Sequence, residues 1–196
     1  MQTLVIDRST RTTSIVLAEE DGSSQPFHLG IWDDDSASSG VALPTSGKYR
    51  IVVGTGPGSF AGIRSTIAFA QGCRIGAGVE VFGLTSAAAF ARENENIAAV
   101  GDARRGLAWI GLFEGYNLTR EIFQVPMKDL ISHIPASSRI VSPDRERIGE
   151  HLTSLFADRY DAKATLDAAN LAKAFTANPA LLCEEPLPIY LNPAVR

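Results

Sequence analysis

One glycine-rich stretch constrains the fold of this chain more than any other: Gly54-Thr-Gly-Pro-Gly-Ser-Phe-Ala-Gly-Ile-Arg64. It follows Arg50-Ile-Val-Val53, an apolar run that reads as a buried strand. It precedes Ser65-Thr-Ile-Ala-Phe-Ala-Gln-Gly-Cys-Arg74, which reads as a helix. A strand, a glycine turn and a helix admit the close approach of a backbone, a phosphate or another helix, because glycine turns tightly and carries no Cβ. A P-loop is excluded by spacing, since no Gly-x-x-x-x-Gly-Lys-Ser/Thr is present. Gly56-Pro-Gly58-Ser-Phe-Ala61 fits a dinucleotide-binding Gly-x-Gly-x-x-Ala pattern. The acid that should end the next strand is Glu80, however, and it stands near that strand's start. The favoured reading is structural: the glycines let helix 60–76 sit tightly against its strand.

Around this stretch the pattern repeats. Leu4-Val-Ile6 and Thr13-Ser-Ile-Val-Leu17 predict a hairpin across residues 8–12. Residues 28–32 are expected as a third strand. Segment 33–47, with Asp33-Asp-Asp35, several serines and Pro44, lacks helical periodicity and reads as a loop. Val79-Glu-Val-Phe82 is a strand, and Thr85 is expected to cap a helix over 86–93. A second apolar strand, Ile97-Ala-Ala-Val100, then ends in Asp102 and a basic turn, Ala103-Arg-Arg-Gly106. Leu107-Ala-Trp-Ile-Gly-Leu-Phe113 and residues 116–125 continue as strands. Helix 127–134, strand 139–141 and helices 145–156 and 168–177 follow. The tail Pro186-Leu-Pro-Ile-Tyr-Leu191 reads as extended. Asp7-Arg-Ser-Thr-Arg11 and Asp102-Ala-Arg-Arg-Gly106 occupy equivalent places in the two halves. The expected fold is therefore α/β and two-lobed, with residues 1–95 and 96–196 each built on a mixed sheet flanked by helices, as in actin-like proteins.

A chain of 196 residues can bury a real core. Its net charge of −4 provides no general attraction to nucleic acid or an anionic membrane. No apolar run is long enough to span a membrane, and Met1 leads straight into a strand, so a cytoplasmic protein without a signal peptide is expected. Cys73, in an apolar helix, reads as a buried free thiol, and Cys183 lies far from it. His28, His133 and His151 have no metal-ligand spacing and are expected at the surface, so no metal site is expected. Asp33-Asp-Asp35 reads as a solvated loop before a cation site. Asp7 and Asp102 could face one another across a cleft and manage phosphate and metal. Turns that do so carry glycine, and the first turn here carries Arg8, Ser9 and Thr10. Asp7 is therefore read as satisfying turn amides, while for Asp102 the two readings stand side by side. No catalytic residue and no cofactor are assigned.

Helix 60–76 carries one more signal. At 3.6 residues per turn, Ala61, Ser65, Ala68 and Gly72 form a stripe of small side chains, with Ile63, Ile67, Ala70 and Cys73 on another side. Such a stripe allows a second helix, internal or from a partner, to come close. Arg64 and Gln71 flank it as polar rim residues.

Five segments come in one order: Leu4-Val-Ile-Asp7-Arg-Ser9-Thr10, the 54–64 stretch, Phe82-Gly-Leu-Thr-Ser86, Asp102-Ala-Arg-Arg-Gly106 and Ile189-Tyr-Leu191. Together they resemble the glycoprotease-like TsaB (YeaZ) family of bacterial tRNA threonylcarbamoyladenosine biosynthesis proteins, over residues 1–115 and again at the tail. The resemblance implies a two-lobed actin-like (ASKHA, duplicated ribonuclease H-like) fold without its own catalysis. It implies a homodimer, and pairing with the catalytic paralogue TsaD, which transfers threonylcarbamoyl to adenosine 37 of tRNA. The ATPase TsaE joins that complex. The family's contact surface is the first two helices of lobe one, and the second of these maps onto helix 60–76. Two departures stand out: Arg8 replaces a usual threonine, and segment 33–47 stands where a long amphipathic helix is usual. Beside this non-catalytic reading stand an actin-like nucleotide-binding phosphotransferase or ATPase, and a dinucleotide-binding module on Gly56 to Ala61.

Overall fold

Strands buried on both faces read as continuous apolar runs, and that is how the first sheet forms. The structure, a computed structural model, describes residues 1–29, 32, 43 and 48–191. β1 (Gln2–Asp7) pairs antiparallel with β2 (Ser14–Ala18) and parallel with β4 (Tyr49–Gly54). β3 (Ser24–Pro26) lies outside β2, and β5 (Glu80–Leu84) lies outside β4, giving the order β3-β2-β1-β4-β5. The third strand is thus 24–26 and not 28–32, where His28, Leu29 and Trp32 are not in a strand. Its Ser-Gln-Pro sequence has no apolar pattern and is set by register, Leu17 opposite Gln25. The expected loop at 33–47, and with it the missing amphipathic helix and Asp33-Asp-Asp35, lies outside the described residues apart from Leu43.

The second sheet starts with a long hairpin, β6 (Asn96–Arg104) and β7 (Leu107–Glu114), bulged between Asp102 and Arg104. The turn takes positive φ at Arg104, Arg105 and Gly106, 69°, 55° and 77°. The stretch expected as one strand over 116–125 is two, β8 (Asn117–Leu118) and β9 (Phe123–Pro126), both on β7. The helix expected over 127–134 is a 3-10 turn followed by one α-turn, α2 (Leu130–His133). β10 (Arg139–Val141) adds parallel to β6, and α3 (Arg145–Phe156) covers that sheet's outer face.

The halves interlock. α1 (Phe60–Ala77) covers the outer face of the first sheet. The inner faces of both sheets share one apolar core with the alanine run 86–91 and with α4 (Ala168–Ala177). Although it follows the second sheet in sequence, α4 packs on β1 and β2. The tail then returns to the first sheet, where Gly83 and Cys183 exchange backbone hydrogen bonds of 2.7 and 2.9 Å. Residues 168–177 and Cys183 thus contact the first sheet although they follow the second in sequence. Among the described residues no helix is long and apolar enough to cross a membrane.

The glycine turn closes on Asp7. This carboxylate is fully buried. Its Oδ1 accepts from the Ser9 amide at 2.8 Å and the Ser9 hydroxyl at 2.6 Å, and its Oδ2 accepts from Ser86 Oγ at 2.5 Å. Ser86 Oγ in turn accepts from the Gly56 amide at 3.0 Å. The Gly56 carbonyl takes the Ser86 amide at 2.8 Å and the Thr85 hydroxyl at 2.9 Å. Thr85 is therefore not a helix cap, and residues 86–90 form a short 3-10 helix in place of the expected α-helix. A Cβ on Gly54 would lie 1.7 Å from Asp7 Oδ2, and one on Gly62 would lie 2.0 Å from the Arg8 carbonyl oxygen. The glycines thus make room for the turn after β1, a tighter partner than the strand their own helix was expected to approach.

Two expectations follow. Gly62→Ala and Gly72→Ala lie on one helix, and alanine is the better helix former by roughly 1 kcal/mol. At Gly72 nothing lies within 4 Å, so Gly72→Ala should stabilise by about 0.4–1 kcal/mol. At Gly62 the new methyl meets backbone, and Gly62→Ala should destabilise by about 1–3 kcal/mol in denaturant melts. Burial pushes the Asp7 carboxyl above its ordinary range, outweighing the hydrogen bonds from Ser86 and Ser9. The folded protein then holds this proton more tightly than the unfolded chain, so stability is lost as pH rises from the ordinary aspartate range through the raised value. Asp7→Asn should remove that part of the slope in melts taken from acid to neutral pH. A constant offset between the two profiles would refute the assignment.

Candidate functional site

Three features could meet a ligand or partner: a cleft between the lobes, the outer face of α1, and an aromatic pair where these two join.

The cleft, about 1180 Å³, is lined from the first lobe by residues 9–14, the end of the glycine turn and the start of α1. From the second it is lined by Asp102, Arg104 and the start of α3, and from the tail by residues 189–191. Ser59 caps α1, accepting from the Gly62 amide at 3.3 Å, and Asp167 caps α4, accepting from the Ala169 amide at 2.9 Å. Asp167 also accepts from Ser14 Oγ at 3.1 Å, which ties α4 to the first hairpin. On the opposite wall the Asp102 amide donates to Asp144 Oδ2 at 2.9 Å, and Asp102 Oδ1 accepts from the Arg104 amide at 2.8 Å. Arg104 and Arg147 approach Asp102 at 3.5 and 3.7 Å, and Arg147 approaches Asp144 at 3.5 Å. Burial raises the Asp144 carboxyl above its usual range, against the Asp102 amide and the Arg147 guanidinium.

Asp7 and Asp102 do not face each other. Asp102 lines the cleft, whereas Asp7 is sealed beneath the glycine turn with every contact supplied by its own chain. The reading of Asp7 as satisfying turn groups holds. For Asp102 the structure shows the turn role, within a carboxylate and guanidinium network. The space that a dinucleotide's phosphates would need beside the glycines is filled by Asp7, Arg8 and Ser9. Among the described residues no group of His, Cys, Asp and Glu could hold a metal. His28, His133 and His151 are exposed, and Cys73 is a buried free thiol.

α1 begins at the Ser59 cap and ends at Gly78, whose φ of 65° lets its amide reach the Arg74 carbonyl at 3.0 Å. It buries Gly62, Ile63, Thr66, Ala70 and Cys73. Its other face leaves Ala61, Arg64, Ala68 and Gly72 exposed, with Gln71 half-buried. Ile75 is 87% exposed and extends this face toward the helix end. Ser65 is only half-exposed, because Arg8 Nη1 donates to its hydroxyl at 2.7 Å. Arg8 also donates from Nε to Thr13 Oγ1 at 3.1 Å, and its guanidinium lies 4.6 Å from the Trp32 ring centroid. Trp32 meets Phe69 edge-on at 5.4 Å. Arginine at position 8 thus fastens the first turn to α1 and covers one side of the small-residue stripe.

Sequence reasoning missed the pair at the start of α1. Phe60 and Tyr190 have ring centroids 5.5 Å apart, and the Arg64 guanidinium lies 5.1 Å from the Phe60 ring. The extended tail that its prolines predict was the available signal, but only the fold brings residue 190 beside residue 60.

Residues 46–136 match the family described as TsaD, tRNA N6-adenosine threonylcarbamoyltransferase. No curated protein sequence matches the chain. Among solved structures it is similar to YeaZ from Pseudomonas aeruginosa, with a TM-score of 0.68 at 20% identity over 97% of this chain and 99% of that one. A second solved chain, described as an uncharacterized protein with similarity to peptidase YeaZ from Pseudomonas aeruginosa, aligns at a TM-score of 0.68 and 19% identity, again over 97% and 99%. The chain thus has the fold of YeaZ over nearly its whole length, and the match to the TsaD family model runs from β4 past the β6–β7 hairpin.

Proposed function

We propose that this protein is a non-catalytic scaffold subunit of the complex that forms N6-threonylcarbamoyladenosine at position 37 of tRNA. It supports the catalytic paralogue TsaD, with the ATPase TsaE as a further member, and it acts in the cytoplasm. The observation that carries this reading is the filled glycine turn. The segment matching a tRNA N6-adenosine threonylcarbamoyltransferase family is present, but the turn that would hold phosphate is occupied by Asp7, Arg8 and Ser9. A fold kept without its phosphate turn suits a partner better than an enzyme. The surface it offers is the outer face of α1, where Ala61, Ala68 and Gly72 allow a helix to come close and Arg64 and Gln71 stand at the rim. The same face serves a homodimer when the catalytic paralogue is absent. Ser65, held by Arg8, lies at the covered edge of the contact.

Co-purification with the catalytic paralogue of the same organism tests the reading. The two should co-elute, and Ala68→Arg should abolish co-elution and self-association while circular dichroism stays native, because Ala68 is exposed. Association that survives Ala68→Arg in a folded protein would place the contact elsewhere. The protein alone should not turn over ATP. Turnover that vanishes in Asp102→Asn would replace this reading with the phosphotransferase or ATPase one.

A further inference from the structure

The aromatic pair at the mouth of the cleft is mounted with more backbone than packing requires. Phe60 and Tyr190 contact each other yet remain 58% and 55% exposed. Tyr190 is held from behind: the Ile189 amide donates to the Thr55 carbonyl at 2.9 Å, and Pro186 lies against the bare Cα of Gly83. An ordered, proline-stiffened tail is thus fixed to the glycine turn, and its result is an aromatic ring held in solvent. Arg64 lies over Phe60 and has no ion pair among the described residues.

The surroundings select the ligand. The pair lines a concave cleft, and Arg64 stands where that cleft meets the exposed face of α1. The second-lobe wall presents Arg104 and Arg147, which approach Asp102 at 3.5 and 3.7 Å, Arg147 also approaching Asp144 at 3.5 Å; a guanidinium carries five N–H donors, more than these contacts engage. The first-lobe wall carries the hydroxyl residues Ser9, Thr10, Thr12, Thr13 and Ser14, with Arg11 among them. Guanidiniums and hydroxyls are the groups that hold phosphate and ribose. An exposed aromatic ring with an arginine beside it stacks a base that has left its helix. Leu166, Ile189 and Leu191 add apolar lining beside these groups, where the face of a base can lie.

We propose that Phe60, Tyr190 and Arg64 form a stacking site for an unpaired nucleotide of RNA, with its flanking phosphates directed to Arg104 and Arg147 across the cleft. Naming that RNA as tRNA rests on the proposed function, whereas the stacking chemistry does not.

Fluorescence anisotropy on the purified full chain tests this, with a labelled RNA hairpin carrying an unpaired loop and a blunt duplex of the same stem, at one low salt concentration. The hairpin should bind more tightly than the duplex. Phe60→Ala and Tyr190→Ala should each weaken hairpin binding by about tenfold. Tyr190→Phe, which keeps the ring and the tail's packing, should bind as the native chain does. Arg74→Ala, at the far end of α1, should change little. Absence of hairpin binding, equal binding of hairpin and duplex, or loss of binding in Tyr190→Phe would overturn the proposal. So would full displacement of the hairpin by ATP, which would mark a free-nucleotide site. Ala68→Arg separates the two readings: it should abolish partner capture and leave hairpin binding unchanged.

Discussion

A single buried carboxylate organises the first lobe. Asp7 ends β1, yet its acceptors are met by Ser9 in the following turn and by Ser86, 79 residues away. Through Ser86 it fixes Gly56, and through the space left by Gly54 it draws β4's end against its own. The Ser9 carbonyl then accepts from the Ser59 amide at 2.6 Å, at the start of α1. The position of the helix, and so of the surface it presents, descends from hydrogen bonds around one desolvated charge. Among the described residues no cation pairs with Asp7, so the uncharged donors must be placed closely, and glycine at residue 54 is the condition for placing them.

This arrangement gives the sequence segments a common physical meaning. The segment around Asp7, the glycine stretch and the Thr85–Ser86 pair meet in one hydrogen-bonded knot, and the Ile189 segment joins it through Thr55. The Asp102 turn is set apart in the second lobe, where arginines and Asp144 surround it. The two aspartates look equivalent in sequence and differ in environment, one sealed and one bordering solvent. A symmetric pair of residues across a cleft is therefore not what the repeat has kept. It has kept the folding pattern of the two sheets.

What could be read from the sequence follows the range of the interactions. β1, β2, β4 and α1 were legible because each carries its own signal: apolar runs for the strands, and an apolar helical stretch after the glycine turn for α1. The exposed stripe on α1 was legible for the same reason, since helical periodicity is local. β3 was not, because a Ser-Gln-Pro strand owes its existence to β2. The alanine run at 86–90 has helix propensity, yet Thr85 and Ser86 spend their hydroxyls on the glycine turn and Asp7 and not on a helix end. The cover over Ser65 was hidden too, because Arg8 reaches it from 57 residues away. The Phe60–Tyr190 pair depends on the tail crossing β5, a contact that no window of sequence contains.

The place of α4 has a consequence for how the chain is made. Synthesis runs from the amino end, and a lobe emerging first ordinarily folds first. Here the inner face of the first sheet, with Val5, Val16 and Val52, shares its core with Leu171 and Phe175 of α4. Those residues are translated after the whole second sheet. Until then the early strands have one covered face and one bare one, and the hydroxyl of Ser14 lacks the helix start it is to meet. The first lobe to leave the ribosome is thus the last to close, and the closing piece is the final α-helix.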